Sequence, residues 1–598
     1  PTDTVLRGPY LLPIRVLAPP LVNAFWVTHH HSITDSCMTF SCTPAWMRLS
    51  RTATALAVFL IATTAMGQVR IPQDAVESPS ELAQIFQQGQ VMEDSGRWGE
   101  ALSLYEKASR KFPNELRLQN ELQDARLHFD VYRRYSDASF VQMVKQSSLR
   151  DTLAIYQEIL LKIETFHFDQ PDWTNLVRSG CDAFVVSVSS DEFREQFGIS
   201  VDHQVQQRIR DYLLKETLAN RIADRNAAQR AVHDFSVMMH ELYGIPAPFV
   251  VLEIATGATV ALDWYSSFLT TDQYSEVMSQ IDGNFVGLGI ELKPQADFLD
   301  VINVISTGPA GQGGLEAGDR IVSVDRRTVT QLGGTHAADL LRGPEGSSVE
   351  LNVQSPNGSF RVLRLKRARV DIPSVEAHRI IDHSDGVGYL KVSSFQRTTR
   401  QEVSTALWKL HRQGMRTLIL DLRGNPGGLL DAAVDVANMF LTSGTIVTTK
   451  GRNVDENSVH RATFEGTWRV PLVVLIDENS ASASEILAGA LRDNSRATVV
   501  GDRSYGKGSV QGIFSLNTCS AGIRLTTAKF YSPSGRAISH AGVMPDIPTQ
   551  EYQASEFVND ASEDGRVTTL RPDLNSDPSL DIAIRVATRQ LQRLNASK

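Results

Sequence analysis

The sequence predicts a multidomain α/β protein with an inserted β-rich module and an all-α region before it. Three stretches that differ in their residue pattern give this prediction. Residues 80–245 contain few Gly or Pro and place apolar residues three and four apart, which is typical of helices. Residues 283–370 consist of short apolar runs separated by turn residues, and strands alternate with helices from 386 to 548. A chain of 598 residues is also too long for a single core.

The composition is that of an ordinary globular protein with a mildly acidic balance. Hydrophobic residues make up 42% of the chain, charged residues 21%, and the net charge is −9. We expect no nucleic-acid partner, because neither a basic patch nor an aromatic–basic motif is found. Cys181 and Cys519, the two cysteines beyond the N-terminal segment, make neither a disulfide scaffold nor a metal site. We therefore predict no metal and no cofactor.

The N-terminal segment has the pattern of a secretory signal. A short basic region follows Met47, residues 53–65 are small and apolar, and Ala65-Met66-Gly67 offers a cleavage site. We interpret residues 1–46 as upstream mistranslation and 47–67 as a signal peptide, so the protein is exported without a membrane span after cleavage. A retained anchor is the alternative, which the short apolar run disfavours.

Residues 82–115 of the helical region are similar to one tetratricopeptide repeat. The matching positions are Gly89, Gly96, Trp98, Ala101, Tyr105, Ala108 and Pro113. Small residues at Gly89 and Ala101 let two helices approach closely. A single repeat leaves its faces uncovered, so a helical hairpin that matches by chance is equally favoured.

Elements are predicted one by one in the remainder of the chain. After a segment at 246–282, in which Phe249–Leu262 is a buried helix or strand, the β-rich module has strands at Val301–Ile305, Arg320–Val324, Ser348–Val353 and Arg361–Leu365. The α/β region at 371–550 has strands at Gly388–Val392, Thr417–Leu422, Leu472–Ile476 and Ala497–Val500, and helices at Thr399–Gln413, Leu430–Leu441 and Ala483–Arg492. Residues 551–598 are predicted to form a polar linker and a C-terminal helix.

One candidate for chemistry is Ser482, on a turn between a predicted strand and a predicted helix. Backbone N–H groups and the helix dipole stabilise negative charge at such a turn, which suits a nucleophile whose attack creates an oxyanion. Ser is also an ordinary helix cap, and Glu485 suits the first turn of a helix. On this segment alone the cap is favoured.

A lysine follows the next predicted strand, within Gly506-Lys507-Gly508. A lysine serves as general base only if burial lowers its pKa, and small flanking residues let its side chain enter a tight pocket. Gln511 is placed to hold it by a hydrogen bond. A surface lysine in a glycine loop is the common alternative. A phosphate-binding P-loop is another, although Gly508 stands where Ser or Thr is required.

The third segment is the end of the buried strand at Thr417–Leu422. Asp421 and Arg423 are followed by Gly427 and Gly428, which free the backbone to approach a substrate. A tight strand-to-helix turn would use the same glycines.

Together these segments resemble the carboxyl-terminal processing peptidases, also called tail-specific proteases. The resemblance runs from about Leu262 to Ile547, and it is carried in order by Leu262–Leu269, Phe285–Ile290, Ala317–Ile321, Leu341–Gly346, Tyr531–Arg536 and Pro545–Ile547. It implies a serine peptidase with a ClpP/crotonase-like catalytic core at 371–550 and a PDZ domain at 283–370.

The resemblance also implies roles for particular residues. Ser482 is the nucleophile, Lys507 the base and Gln511 its orienter, and the N–H groups of Gly428 and Ala483 form the oxyanion hole. The PDZ loop that receives a substrate's terminal carboxylate is formed by Val286, Gly287, Leu288, Gly289 and Ile290. Arg342 matches an arginine that, in some members, couples tail capture to ordering of the active site.

The expected function is cleavage of proteins or peptides near their C-terminal tails through an acyl-enzyme. With the signal segment, the expected location is the periplasm or cell envelope of a bacterium. The helical region is atypical of the short family forms and suggests an adaptor or self-association role. A catalytically silent TPR/PDZ scaffold and a P-loop nucleotide binder are the alternatives.

Overall fold

The structure is a computed structural model that describes residues 81–219, 221–463, 468–549 and 577–596. The segments interpreted as mistranslated leader and signal peptide, and nearly all of the predicted polar linker, lie outside these residues. Among the described helices, none is long and apolar enough to cross a membrane.

The described chain begins with ten consecutive helices. They are α1 (Glu81–Asp94), α2 (Trp98–Lys111), α3 (Leu116–Tyr135), α4 (Ala138–Gln146), α5 (Leu149–Phe166), α6 (Trp173–Ser189), α7 (Asp191–Phe197), α8 (His203–Ala219), α9 (Arg225–Tyr243) and α10 (Ala247–Val260). The α1–α2 hairpin has the predicted close approach, because a Cβ atom at Gly89 would overlap the Tyr105 hydroxyl.

The apolar stretch after Pro246 is a helix, α10, and it lies at the centre of the helical bundle. Residues 249–252 are fully buried. Gly180 on α6 and Gly257 on α10 let these two helices touch, since a Cβ atom at Gly257 would lie 2.8 Å from the carbonyl oxygen of Ser179. The buried Glu253 of α10 accepts hydrogen bonds from Arg134 at 2.6 Å and from Ser187 at 2.5 Å.

The β-rich module begins and ends with two strands that are neighbours in space. After β1 (Ser267–Leu269) and α11 (Thr271–Asp282), the chain forms β2 (Asn284–Gly287), β3 (Ile290–Pro294), β4 (Leu299–Val304), α12 (Pro309–Gln312), β5 (Arg320–Val324), β6 (Arg327–Thr328), α13 (Val329–Leu332), α14 (Gly334–Asp339), β7 (Ser348–Gln354), β8 (Phe360–Lys366) and β9 (Ala368–Asp371). Strands β2 and β9 pair antiparallel, so the chain enters and leaves the module side by side. The module has its own core, which includes Leu299, Ile321 and Leu351.

The α/β region contains most of the remaining elements. They are β10 (Val375–Asp382), β11 (Val387–Val392), α15 (Thr399–Arg412), β12 (Thr417–Asp421), α16 (Leu430–Asn438), β13 (Thr445–Gly451), β14 (Ser458–Arg461), β15 (Leu472–Ile476), α17 (Ala483–Asp493), β16 (Thr498–Gly501), β17 (Ser509–Ser515), β18 (Gly522–Tyr531), β19 (Ile547–Pro548) and α18 (Pro578–Ala596). The strands and helices predicted in both β-bearing regions are confirmed, with ends that differ by at most three residues.

The main sheet has the order β10-β11-β12-β15-β16-β19 and is parallel except for β10. Its central strands β12, β15 and β16 are almost wholly apolar because both faces are covered. Residues of α15, α16 and α17 share a core with one face. The C-terminal helix α18 covers the other face with Ile582, Ala583 and Val586.

A second sheet, with the order β1-β18-β13-β14 and β17 paired to β18, joins the helical bundle to the α/β region. Ile523 and Leu525 of β18 belong to the same core as the helices. The backbone N–H of Phe168 donates to the carbonyl of Thr526 at 2.8 Å. The bundle is therefore packed into one body with the α/β region rather than forming a detached arm.

Candidate active site

Three loops meet at the carboxyl ends of the adjacent parallel strands β12, β15 and β16. The first carries Gly427 and Gly428, the second Ser482 and the third Lys507. Ligands and reacting groups generally gather at this edge of an open α/β sheet, because loops from neighbouring strands lie side by side there.

Ser482 occupies a strained turn directly before α17. Its φ is 55° and its ψ −112°, a conformation that residues with a Cβ rarely adopt. The backbone N–H of Ser482 donates to Oε2 of Glu485 at 2.8 Å. This contact holds the turn in place.

Glu485 connects the Ser482 turn to the lysine loop. Its carboxylate also accepts hydrogen bonds from the N–H of Gly506 at 2.7 Å, the N–H of Lys507 at 2.9 Å and the hydroxyl of Ser504 at 2.5 Å. Burial raises the pKa of this carboxyl, and these donors oppose the rise. The sequence pattern missed this role, since Glu485 also suits the first turn of a helix and its partners lie far along the chain.

Lys507 lies in a partly buried pocket. Its Nζ is 4.8 Å from the ring centroid of Tyr265, in the segment between α10 and β1. Burial lowers the pKa of Lys507, the charge of Arg524 lowers it further, and Glu485 acts in the opposite direction. The environment therefore favours the neutral amine more than water does.

Gln511 lies on β17, four residues after Lys507. Its amide donates to Ser509 Oγ at 2.9 Å and to Thr526 Oγ1 at 3.4 Å. Within the described residues it makes no hydrogen bond to Lys507, so the orienting role stays a prediction.

The glycine loop packs directly against the Ser482 turn. A Cβ atom at Gly427 would lie 2.8 Å from Cβ of Ser482 and 2.9 Å from the backbone nitrogen of Ala483. Gly428 has φ 141°, and a Cβ atom there would overlap the carbonyl of Phe395. Only glycine fits these positions.

The backbone N–H groups of Gly428 and Ala483 make no hydrogen bond within the described part of the chain. Ala483 is the first residue of α17, where an N–H has no partner within the helix. Asn425 fixes the surrounding loops, because its side chain accepts from the N–H of Gly427 at 2.8 Å and its carbonyl from the N–H of Ala481 at 3.0 Å. These two N–H groups are thus free to donate, and their oxyanion-hole role stays a prediction.

The structure contradicts the P-loop alternative, and it shows the contacts of two histidines in the α/β region. A P-loop leads from a strand into a helix, whereas the loop at Lys507 leads into strand β17. His460 contacts Ser458 at 3.2 Å, and His540 is exposed. Among the described residues, neither histidine has a hydrogen bond to Ser482, and the side chain of Lys507 has none to it either. The backbone N–H of His540 donates to the carbonyl of Gly506 at 2.9 Å.

The predicted tail-binding residues lie at the start of the inserted module. Val286 and Gly287 end β2, and Ile290 begins β3. The carbonyls of Leu288 and Gly289 accept from the N–H groups of Ala310 and Ile305, each at 2.9 Å. In the described sheet β3 pairs only with β4, which leaves its other edge open to an added strand.

Arg342 follows the helical segments of the module and is exposed. It has no ion pair within the described residues.

Comparison with known proteins assigns the α/β region and the module to known families. Residues 386–549 match peptidase family S41, and residues 301–355 match a PDZ domain. The carboxy-terminal-processing protease of Bartonella bacilliformis is 38% identical over 304 residues, which cover 49% of this chain and 68% of the relative. The carboxyl-terminal-processing protease of a Picosynechococcus species is 36% identical over 297 residues, covering 49% and 71%.

Among solved structures, the photosystem II D1 C-terminal processing protease aligns with 66% of this chain and 92% of its own. Its sequence identity is 24% and its TM-score 0.37. The sequence matches to the two curated relatives extend over more than two thirds of each of them. The chain therefore belongs to peptidase family S41 and is a carboxyl-terminal-processing serine protease with a PDZ domain.

Proposed function

We propose that this protease cleaves its substrates with a Ser–Lys dyad formed by Ser482 and Lys507. The observation that carries the proposal is the carboxylate of Glu485, which accepts the backbone N–H of both residues. One buried side chain thereby fixes the nucleophile turn and the base loop relative to each other.

In the proposed reaction the neutral amine of Lys507 removes the proton of the Ser482 hydroxyl, and Oγ attacks the carbonyl carbon of the scissile peptide bond. The N–H groups of Gly428 and Ala483 stabilise the oxyanion. The protonated lysine then gives its proton to the leaving amine, which leaves an acyl-enzyme on Ser482. Water, activated by the same amine, hydrolyses that ester and restores the enzyme.

Substrate selection is proposed to begin in the PDZ domain. The terminal carboxylate of a protein or peptide binds the loop Val286–Ile290, and the tail adds as a strand to the open edge of β3. Arg342 couples this capture to ordering of the active site, and Gln511 orients Lys507. The free edge of β3 and the exposure of Arg342 support this assignment.

Finer features of the fold and the location are also proposals. The main sheet and its loops fit a ClpP/crotonase-like core. The contact of Gly89 with Tyr105 supports a TPR-like α1–α2 hairpin that serves an adaptor or self-association. Export to the periplasm or cell envelope rests on the signal-like segment at 47–67.

The dyad is tested with Ser482→Ala and Lys507→Ala on an unfolded protein that has an apolar C-terminus. Each variant is expected to lose at least about 1,000-fold in kcat/KM while keeping the wild-type circular dichroism spectrum. Lys529→Ala is the matched control, because Lys529 also lies over an aromatic ring, at 4.5 Å from that of Phe168. Wild-type activity in Lys507→Ala would refute the assignment.

The pH profile gives a second readout of the same assignment. The base acts as a neutral amine, so the rate rises with pH through the pKa of Lys507. Burial lowers that pKa, and the rise is therefore expected below the pH at which an exposed lysine titrates. A rate that stays flat from acid to alkaline pH, with the fold intact, would contradict a lysine base.

A further inference from the structure

Arg110, near the end of α2, lies against the loop that carries Lys507. Its guanidinium carbon is 4.3 Å from the ring centroid of Tyr505. The backbone N–H of Tyr505 donates to the carbonyl of Ser480 at 3.0 Å, two residues before Ser482, and Tyr505 itself precedes Lys507 by two residues. The helical region therefore reaches the rim of the active site through this side chain.

The charge of Arg110 also acts on a second aromatic side chain, that of Tyr265. Tyr265 lies beside Nζ of Lys507, and burial raises the pKa of Tyr265 to about 12. The charges of Tyr505 and Glu485 act in the same direction, and the charge of Arg110 opposes them. The guanidinium thus lies over the ring of Tyr505, and its charge also acts on the tyrosine beside the lysine.

Arg110 has no acidic partner among the described residues, and it is exposed. The adjacent Lys111 differs, because its Nζ pairs with Glu81 at 2.6 Å. A guanidinium without an acidic partner retains N–H donors for an incoming group, even where its face lies over an aromatic ring.

Two acids close to the lysine pocket, Glu485 and Asp263, already accept internal hydrogen bonds. Glu485 accepts four donors, as described above. Asp263 accepts from Ser266 Oγ at 2.6 Å and from Thr526 Oγ1 at 3.0 Å, and it lies 3.0 Å from Nε2 of His167. Neither carboxylate is available to Arg110.

Further positive charge lies on the same side of the site. Nε of Arg524 donates to the carbonyl of Tyr265 at 2.9 Å. Arg126, in turn, donates to the carbonyl of Asp263 at 3.1 Å. An exposed guanidinium with no acidic partner matches a carboxylate, to which arginine binds through paired hydrogen bonds.

We propose that Arg110 is a specificity residue that binds a carboxylate of the substrate segment lying beside Lys507. The inference rests on the proposed dyad, because the dyad places the scissile bond next to that lysine. The carboxylate comes from an acidic side chain near the scissile bond or from the free C-terminus of a short tail. A neutral group at the same position forms no ion pair and is bound less tightly.

The test uses the full chain and two pairs of peptides that differ only in charge. One pair has Glu or Gln beside the scissile bond, and the other has a free or an amidated C-terminus. The wild type is expected to cleave the acidic member of at least one pair with a kcat/KM about fivefold higher. Arg110→Gln removes the Glu/Gln ratio, reduces the free/amidated ratio to the part that the PDZ domain supplies, and leaves the neutral peptides within about twofold of wild type.

Lys111→Gln makes the same change of charge on the next residue and is expected to keep the wild-type ratio. Arg110→Lys is expected to keep part of the preference for the acidic peptide, because a lysine retains the charge without the paired hydrogen bonds. The PDZ domain responds to amidation equally in all these variants. A change in the amidation ratio between wild type and Arg110→Gln therefore assigns the terminal carboxylate to Arg110.

Three results would overturn the proposal. The first is equal cleavage of both members of each pair by the wild type, and the second is an unchanged ratio in Arg110→Gln. The third is an equal loss on acidic and neutral peptides in Arg110→Gln, which would mark a structural contact with Tyr505. Failure of the dyad is recognised separately, since Ser482→Ala would then still cleave the neutral peptide.

Discussion

Four donors converge on the carboxylate of Glu485, and two of them are the backbone N–H groups of the proposed nucleophile and base. The residue is 1% exposed, so water does not replace a lost donor. The separation of Ser482 and Lys507 thus depends on a side chain that takes no part in proton transfer.

Glu485→Gln tests this dependence. The amide keeps one acceptor oxygen but directs an NH2 group at donors, so the free energy of unfolding is expected to fall by about 2 kcal/mol. Because the two loops then shift, kcat is expected to fall about 100-fold in the fraction that stays folded. Denaturant unfolding and active-site titration measure the two effects.

Glu402→Gln is the matched control for that substitution. Glu402 also accepts a hydroxyl and a backbone N–H, from Ser374 and Val375 at 3.0 Å each, and its partners lie outside the three active-site loops. The Glu402→Gln variant is expected to have a lower free energy of unfolding and an unchanged kcat. Equal kcat values for Glu485→Gln and wild type would rule out the positioning role.

Among the elements, helix α18 has a connection to the active site that its sequence position does not suggest. Arg423, in the glycine loop after β12, lies between Asp421 at 2.6 Å and Asp577 at 2.7 Å. Asp577 also accepts the N–H of Leu580 and so caps α18. The last helix is thereby attached to the loop that presents Gly428.

Asp577→Asn is expected to weaken this attachment by about 1 kcal/mol at neutral pH, a modest value because Asp577 is 40% exposed. Burial alone would raise the pKa of Asp577, but hydrogen bonds from Arg423 hold it below its usual range. The stability that it contributes is present above the pKa of an unfolded aspartate and is lost as the pH falls through the lower folded value.

The difference in the free energy of unfolding between wild type and Asp577→Asn should therefore disappear when unfolding is measured at acid pH. Asp581→Asn, one helical turn later, is the control. Asp581 has no ion pair within the described residues, and its substitution should change stability by only a few tenths of a kcal/mol. A difference between wild type and Asp577→Asn that persists at low pH would contradict the ion-pair explanation.

The elements also indicate what the sequence alone can predict. Strands such as Leu472–Ile476 are uniformly apolar and bounded by turns, so their type and limits follow from local pattern. Phe249–Leu262 mixes β-branched residues with Gly257, and only its packing against α6 through that glycine decides for a helix. Ser482 and Lys507 were found through motifs.

Glu485 and Arg110 were not assigned these roles from the sequence because their contacts are tertiary. Glu485 looks like a first-turn helix residue, and Arg110 like a surface arginine at the end of a helix. Their partners are loops brought close by the order of the main sheet and by the packing of the helical bundle. No local pattern carries that information.

For the whole molecule, the two regions outside the α/β sheet differ in how they are joined to it. The PDZ domain has its own core and is joined through the pair β2–β9, whereas the helical bundle shares its core with β18. Arg452, after β13, also donates to the carbonyls of Glu164 and His167 at the end of α5, at 2.6 and 2.9 Å.

Replacement of residues 285–370 by a short Gly-Ser linker is expected to leave a folded chain. Asn284 and Asp371 are cross-strand neighbours, about 5 Å apart at Cα, and a few residues span that distance. The shortened chain should keep the thermal midpoint of the catalytic body within about 5 °C and lose the part of its preference for free over amidated tails that the PDZ domain supplies. Calorimetry and peptide cleavage measure both effects.

Deletion of residues 81–245 is the contrasting variant, and it is expected to give insoluble protein because it uncovers the apolar faces of α10 and β18. Two results would contradict this division into a separable PDZ domain and an inseparable helical bundle. They are cooperative unfolding of the variant that lacks residues 81–245 and aggregation of the variant that lacks the PDZ domain.

The contact between Gly428 and Phe395 has a genetic consequence. Every missense change by one nucleotide from a glycine codon introduces a Cβ atom, and at this position that atom would overlap a carbonyl. Among single-nucleotide changes in the codon of Gly428, only the synonymous ones therefore leave the backbone undisturbed. In a saturation library selected for proteolysis, we expect no replacement of Gly428 among the active variants. Nearby Gly424 has open space around it and should tolerate several replacements despite its positive φ.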